Sequence, residues 1–154
     1  MSAGLPSNIH ASCVSVAGKG VVIRGAARSG KSSLAFLLLR RAEALGIRAA
    51  LVCDDQALIE REGDDVVARA PVSIKGLIEI SGVGLVRLPT FDEAPIRLIV
   101  DLVPRERIER LPEEREADVL GARIRRVFLP EREAAFAAEV VLALISGNGG
   151  WRDA

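Results

Sequence analysis

A glycine-bounded loop between two apolar segments is the feature that most constrains the fold of this 154-residue chain. Residues 25–32 read G-A-A-R-S-G-K-S and match the pattern G-x-x-x-x-G-K-S in full. The apolar residues 21–23 before the loop predict a buried strand, and residues 31–45, followed by Gly46, predict a helix. A strand, a glycine loop and a helix in this order are typical of an α/β fold that binds phosphate at the helix N-terminus.

The other apolar segments predict a single α/β domain with a mixed sheet and hairpins. Residues 10–17 and 21–23 flank a Gly-Lys-Gly turn, as in a hairpin. Glycine and proline interrupt the short apolar runs of residues 57–87, and this pattern favours further hairpins over helices. We expect other strands at residues 48–53, 96–103 and 123–129 and a C-terminal helix at residues 131–145. The domain is expected to span residues 9–146, with tails at residues 1–8 and 147–154.

Composition and charge exclude several classes of protein. Apolar residues make up 49% of the chain, and 21 basic side chains balance 21 acidic ones. A chain with no net charge has no field to attract nucleic acid or an anionic membrane surface. No secretory signal or membrane-spanning stretch is evident, so we expect a cytoplasmic protein. Cys13 and Cys53 lie in apolar stretches and are expected to be buried, reduced thiols.

Residues 25–32, hereafter the P-loop, predict a nucleotide site. Their glycines let successive backbone N–H groups point at phosphate oxygens, and the helix N-terminus adds partial positive charge. Lys31 would reach the β and γ phosphates, and Ser32 would supply a hydroxyl to Mg²⁺. The same cradle serves ATPases, GTPases and several kinds of kinase. The residues expected to contact the nucleotide are Gly25, Ala26, Ala27, Arg28, Ser29, Gly30, Lys31, Ser32 and Ser33.

Two apolar runs end in aspartate and could supply a base or a metal ligand. Asp54 and Asp55 follow residues 49–53, and Asp101 follows residues 98–100. A kinase that transfers phosphate to a hydroxyl needs a carboxylate to accept the proton, and a second acid beside it can tune its pKa. We favour Asp54 and Asp55, with a solvated turn as the alternative, and for Asp101 we expect only a solvated turn.

With these residues in view, residues 9–144 resemble the catalytic domain of bacterial HPr kinase/phosphorylase, in particular short forms that lack the usual N-terminal domain. The resemblance implies a P-loop fold of the phosphoenolpyruvate carboxykinase type, with ATP and Mg²⁺ as cofactors. His10 stands at the family's distance before Lys31 and is implied to shape the site. The family's Asp-Asp pair corresponds to Asp54 and Asp55, and the resemblance makes Asp55 the general base.

Two further residues carry roles by this resemblance alone. Glu79, in residues 79–84 (E-I-S-G-V-G), matches a family segment that supplies a metal-associated glutamate. Arg110 matches the catalytic arginine of the family's E-R-L segment, which would stabilise charge on the transferring phosphoryl group. The implied metal residues are thus Ser32 and Glu79, and the implied catalytic residues are His10, Lys31, Asp55 and Arg110.

The chain departs from the family pattern at three places. Ser81 replaces an expected arginine, and Ala26-Ala27-Arg28 stands where the family commonly has Asp-Ser-Gly. Residues 129–133 read L-P-E-R-E in place of the P-G-R-N loop that the family uses to remove phosphate from phosphoserine. We therefore expect phosphorolysis to be weak or absent.

The resemblance implies an ATP-dependent kinase for a serine of HPr or a related phosphocarrier of the phosphotransferase system. It also implies a homo-oligomer, a hexamer in the family. Two alternatives remain open at this point. One is a P-loop kinase for a small metabolite, although the sequence shows no clear lid. The other is a nucleotide-binding sensor that has lost catalysis and acts through its bound state.

Overall fold

The computed structural model describes residues 7–72 and 75–146. In these ranges the chain forms eleven strands and two α-helices, with a 3-10 turn at Arg105–Arg107. In chain order the elements are β1 Ser7–Ile9, β2 Ser12–Val16, β3 Lys19–Gly25, α1 Lys31–Ala44, β4 Ala49–Cys53, β5 Ala57–Glu62, β6 Asp65–Arg69, β7 Leu77–Ile80, β8 Gly84–Arg87, β9 Glu93–Val103, β10 Glu116–Val119, β11 Ala122–Pro130 and α2 Ala134–Ser146.

Nine of these strands form one mixed sheet, and β7 and β8 form a separate hairpin. The main path through the sheet runs β1-β5-β6-β9-β3-β2-β4, and β11 joins through β9 with β10 at its far side. β9 is the junction, because β6 pairs with its residues 93–95 and β11 with its residues 98–103. β9 pairs in parallel with β3 and with β11, and β4 runs in the same direction because both β3 and β4 are antiparallel to β2, so the carboxyl ends of these four strands lie at one edge. The P-loop leaves this edge directly after β3.

Alternation along the strands divides the core between the two faces of the sheet. Val21 and Ile23 of β3 join a cluster with both helices, which pack side by side on one face. Val22 packs on the opposite face, in a second cluster covered by the hairpin of β5 and β6. The helix-side cluster holds α1 residues Leu34, Ala35, Leu38 and Ala42 and α2 residues Ala137, Ala138, Val141, Leu142 and Ile145.

The second helix is apolar but short. Its exposed Glu139 pairs with Arg41 of α1, with 2.5 Å between Oε1 and Nε. In its last turn, the Ile145 carbonyl accepts a 2.9 Å hydrogen bond from Lys19 Nζ. The helix dipole favours a cation at this end of a helix. Within the described residues, no helix combines the length and hydropathy needed to cross a bilayer.

The α/β class, the β2–β3 hairpin, α1 and the hairpins after residue 57 confirm the sequence predictions. The last helix was predicted to begin at Glu131, which was wrong, because it begins at Ala134. The N–H groups of Glu131 and Arg132 instead donate hydrogen bonds to other segments of the chain. Ser7 and Asn8 were assigned to a tail but pair with β5 as part of β1. The predicted tail at residues 147–154 lies outside the described residues.

Candidate functional site

The P-loop folds back on itself between β3 and α1. The Ser29 N–H donates to the Ala26 carbonyl at 3.1 Å, and the Leu34 N–H donates to the Gly30 carbonyl at 2.9 Å to begin the helix. Gly30 has φ 94°, a left-handed conformation that suits glycine. A Cβ at Gly25 would lie 2.4 Å from Ser29 Oγ, so no larger residue fits at the start of the loop.

Two polar groups of the loop fit a bound phosphate. The Ser29 hydroxyl is buried and has no hydrogen-bond partner among the described residues. A buried hydroxyl left in this way costs about 1–3 kcal/mol, and such groups mark places where a ligand or water completes the bonding. Lys31 Nζ donates to the carbonyls of Gly25 at 3.1 Å and Ala26 at 3.2 Å, so the ammonium lies across the loop. The loop thus presents a cation and an unpaired hydroxyl.

The chain after β11 supports the loop from outside. The Arg132 N–H donates to the Ser29 carbonyl at 3.0 Å, and the Glu131 N–H donates to the Val103 carbonyl at 2.9 Å. Arg132 adopts a left-handed φ of 58°, and a Cβ on Gly30 would lie 3.5 Å from its backbone nitrogen. The segment that departs from the family's P-G-R-N loop is therefore in direct backbone contact with the P-loop.

A hydroxyl–carboxylate cluster joins the start of α1 to the end of β4. Ser32 Oγ lies 2.8 Å from Asp54 Oδ1 and 3.0 Å from Oδ2. The Ser12 hydroxyl donates to Asp54 Oδ1 at 2.7 Å and accepts the Asp55 N–H at 3.3 Å. Asp54 is only 8% exposed. Two hydroxyls therefore fix its carboxylate beside the P-loop.

The oxygen donors of this cluster fit Mg²⁺. Mg²⁺ prefers hard oxygen ligands and is commonly held by one or two carboxylates, with phosphates and water completing the shell. Ser32 and Asp54 supply that kind of set. Within residues 7–72 and 75–146, no group of three or more His, Cys, Asp or Glu side chains could hold a metal by itself. The arrangement suits a metal shared with a nucleotide.

Asp55 stands in a different environment from its neighbour. Its side chain is exposed, whereas that of Asp54 is buried. Its φ of 65° is left-handed, a conformation that Asp adopts more readily than most residues. The strand end thus presents one carboxylate to the Ser32 hydroxyl and the next one to solvent, where an acceptor could approach.

Among the described residues, no hydrogen bond or ion pair joins the other three predicted residues to this cluster. His10 is exposed between β1 and β2, two residues before Ser12. Glu79 is exposed on β7, whose neighbour Ile78 packs with α1. Arg110 is exposed at a cavity of about 460 Å³ whose wall includes Pro130. In the part of the chain that the structure describes, none of these three side chains has a hydrogen-bond or ion-pair partner.

Asp101 lies at the same edge of the sheet on its other face. Arg24 binds it through two nitrogens, each 2.8 Å from a carboxylate oxygen, and Arg126 Nε lies 2.5 Å from Oδ2. Burial raises the pKa of this carboxyl, but the two guanidinium groups outweigh it and hold the pKa below its ordinary value. Arg24 precedes Gly25, so the ion cluster anchors the strand that leads into the P-loop.

Two contributors were missed by reasoning from the sequence. Ser12 could have been found, because the predicted hairpin register places it opposite Ile23, two residues before the P-loop. The hydrogen bond from Arg132 to Ser29 could not be predicted from the residue types, because both of its atoms belong to the backbone. Both residues hold functional groups in place: Ser12 positions Asp54, and Arg132 positions Ser29.

Known proteins resemble this chain over most of its length. The family model described as HPr Serine kinase C-terminal domain matches residues 4–148. The HPr kinase/phosphorylase of Bordetella pertussis is 34% identical over 135 residues, which cover 80% of this chain and 42% of that protein. That of Geobacillus kaustophilus is 32% identical over 145 residues, covering 86% and 45%. This chain spans less than half the length of these curated relatives.

A solved structure shows the same fold. The HPr(Ser) kinase/phosphatase from Coxiella burnetii superposes with a TM-score of 0.77 and 24% sequence identity, over 92% of this chain and 89% of that one. The match of the family model spans nearly the whole chain. The chain belongs to the HPr serine kinase C-terminal domain family.

Proposed function

We propose that this chain is an ATP-dependent protein kinase that phosphorylates a serine of an HPr-like phosphocarrier. One observation carries the proposal: the P-loop Ser32 hydroxyl is bonded to buried Asp54, and the next residue, Asp55, is an exposed acid at the same strand end. A nucleotide cradle, a metal-suited carboxylate and a second acid are thus assembled in a chain of the HPr serine kinase family.

The P-loop would hold the nucleotide. Backbone N–H groups of residues 25–33 and the Lys31 ammonium would bind the phosphates of ATP. Ser32 and Asp54 would hold Mg²⁺, which would offset the negative charge of the phosphates. Glu79 would join them as a further metal ligand, a role supported by family resemblance alone. The Ser32 hydroxyl donates its hydrogen to Asp54, which leaves its oxygen lone pairs available to Mg²⁺.

Asp55 would take the proton of the acceptor serine. The serine oxygen then forms a bond to the γ phosphorus, the bond from that phosphorus to the β–γ bridging oxygen breaks, and ADP leaves. Lys31 and Arg110 would stabilise the charge that spreads over the transferring group. His10 would shape the phosphate pocket from the segment before Ser12. Arg110 must approach the P-loop for this step, and its side chain, which is exposed and has no hydrogen-bond or ion-pair partner among the described residues, is free to make that movement.

The carrier, the assembly and the compartment follow from family resemblance. We propose an HPr-like carrier as the acceptor, a homo-oligomer such as the family's hexamer, and the cytoplasm as the compartment in which carrier and ATP meet. The balance of 21 basic and 21 acidic residues supports a partner other than nucleic acid.

We propose that the reverse reaction with inorganic phosphate is weak. Glu131 and Glu133 flank Arg132 beside the P-loop, and Glu133 forms a two-point ion pair with Arg105. These two acids stand where the family's loop has glycine and asparagine, and Arg132 pairs with Glu131 at 3.5 Å, which makes its guanidinium less available to a second phosphate. Phosphoserine-carrier would be incubated with the protein and inorganic phosphate, and pyrophosphate would be measured. Release near the rate of the kinase reaction would contradict this part of the proposal.

Intact-mass spectrometry of a purified HPr-type carrier tests the function. After incubation with MgATP and this protein, the carrier should gain one phosphate, and fragmentation should place it on serine. A carrier that stays unmodified although the protein binds ATP would favour a nucleotide-binding sensor that has lost catalysis. Glu79, which is exposed and has no partner among the described residues, would then fit a protein without the second metal ligand. Phosphate found on a small molecule in a metabolite extract would instead indicate a metabolite kinase.

A further inference from the structure

Left-handed residues other than glycine gather around the P-loop. In the described part of the chain there are five: Ala17, Arg28, Asp55, Leu120 and Arg132. Ala17 and Leu120 each precede a left-handed glycine in a two-residue hairpin turn, where this conformation is ordinary. The other three lie in the P-loop, in the aspartate pair and in the segment bonded to Ser29. Strained residues of this kind cluster at functional sites.

Arg28 is the least expected of these residues. A long side chain at φ 66° brings its Cβ against the backbone, a conflict that glycine avoids. Asp55 belongs to a residue type that tolerates this conformation, and Arg132 lies outside the loop. Arg28 is exposed, and it makes no hydrogen bond or ion pair with any described residue. The conformation is held by the turn that the Ser29 N–H closes on the Ala26 carbonyl, and no side-chain bond of Arg28 to a described residue offsets its strain.

The loop carries two cations, and they are differently engaged. Lys31 Nζ already lies against the carbonyls of Gly25 and Ala26. Arg28 keeps all five of its N–H donors available at the exposed side of the same loop. A terminal phosphate presents several oxygens in a geometry that a planar guanidinium can bind through two bonds at once. The loop therefore offers a second cation suited to phosphate.

We propose that Arg28 binds the terminal phosphoryl group of the bound nucleoside triphosphate and stabilises it during transfer. The inference rests on the proposed function and adds a catalytic contact within the loop itself. Because ATP and ADP share the α and β phosphates, a contact to the terminal group strengthens the binding of ATP and leaves that of ADP unchanged. The ratio of the two affinities is therefore a readout that a purely structural role would not move.

Titration calorimetry with MgATP and with MgADP tests the proposal on the full chain. Arg28→Ala removes the cation and keeps a side chain at the left-handed position, whereas Arg28→Gly also relieves the strain. Both should lower the ATP-to-ADP affinity ratio by about tenfold, with ADP affinity within about twofold of wild type. Arg28→Lys should keep part of the preference. Arg40→Ala, which removes an exposed arginine of α1, should not change the ratio.

Thermal unfolding of the same proteins separates strain from binding. Arg28→Gly should unfold at the wild-type temperature or higher, as should Ala17→Gly, which relieves a left-handed residue in the β2–β3 turn. An unchanged affinity ratio in Arg28→Ala, or an equal loss for ATP and ADP, would overturn the inference and leave the proposed function standing. If the Arg28 variants lower the ATP-to-ADP affinity ratio but the wild-type protein phosphorylates no carrier, the role of Arg28 in binding the terminal phosphate would be supported and the proposed kinase function would be refuted. Wild-type protein that binds no ATP would refute both.

Discussion

The Ser32 hydroxyl lies 2.8 Å from the carboxylate of Asp54 and so ties the first turn of α1 to the end of β4. Ser12 holds the same carboxylate from the neighbouring strand β2 at 2.7 Å. Asp54 is thereby fixed and buried, while Asp55 stays exposed one residue later. The two adjacent acids therefore have different environments, and this difference is the basis of the separate roles that we propose for them in metal binding and in proton transfer.

Asp54→Asn should weaken the binding of MgATP more than that of ATP without metal. The amide keeps the size of the side chain but removes the negative charge that suits Mg²⁺ beside Ser32. We expect the Mg²⁺ concentration required for half-maximal nucleotide binding to rise about tenfold or more. Fluorescence titration of Mg²⁺ with a labelled ATP analogue measures it. Asp64→Asn, in an exposed turn away from the P-loop, is the matched control. Equal Mg²⁺ requirements in the two variants would exclude Asp54 from the metal site.

Asp101→Asn should destabilise the fold at neutral pH. The substitution leaves Arg24 and Arg126 without their shared carboxylate, and we expect a loss of about 2–3 kcal/mol in the free energy of unfolding. The folded-state pKa of Asp101 is depressed, so its contribution is present above the unfolded value of about 4 and is lost as pH falls through the folded value. Urea unfolding at several pH values should show the difference from wild type shrinking at acidic pH.

A surface pair provides the control for that measurement. Asp65 and Arg97 are joined at 2.8 Å, but both side chains are 45% exposed. The Arg97 hydrogen bond lowers the pKa of Asp65 as well, yet water screens the pair. Asp65→Asn should therefore have a much smaller effect on unfolding than Asp101→Asn. Similar losses in the free energy of unfolding in both variants would show that burial does not strengthen the ion pairs of Asp101.

The two cysteines should react with a thiol reagent only when the protein unfolds. Cys13 and Cys53 are buried on adjacent strands. Burial raises the pKa of the Cys53 thiol to about 12 and also raises that of Cys13, which suppresses the reactive thiolate. A colorimetric thiol assay at pH 8 should register two thiols per chain in denaturant and essentially none within minutes in buffer. Rapid labelling of the native protein would contradict this packing.

The P-loop and its two flanking elements could be predicted from the sequence because the signals are local. Glycine positions, the Lys31-Ser32 pair and the apolar run before them determine a strand, a loop and a helix with little tertiary help. The β2–β3 hairpin was equally accessible through its glycine turn. The aspartate pair could be placed at a strand end, but its division into a buried and an exposed acid could not, because that depends on Ser12 from another strand.

Contacts between distant segments explain what was missed. Residues 131–133 have helical composition, yet backbone bonds to Val103 and Ser29 hold the first two outside α2. Such bonds depend on the parallel pairing of β9 and β11, which no local pattern specifies. The roles of His10, Glu79 and Arg110 stay predictions, since these residues were assigned by resemblance and make no contact with the Ser32–Asp54 cluster in the described structure.

We propose that Asp54 serves the metal and Asp55 accepts the proton of the acceptor serine. Single-turnover transfer of phosphate from MgATP to an HPr-type carrier, compared in wild type and Asp55→Asn, separates these two roles. The variant should bind MgATP within about twofold of wild type but transfer phosphate at least about a hundredfold more slowly. Transfer by Asp55→Asn at the wild-type rate would show that Asp55 is not the base.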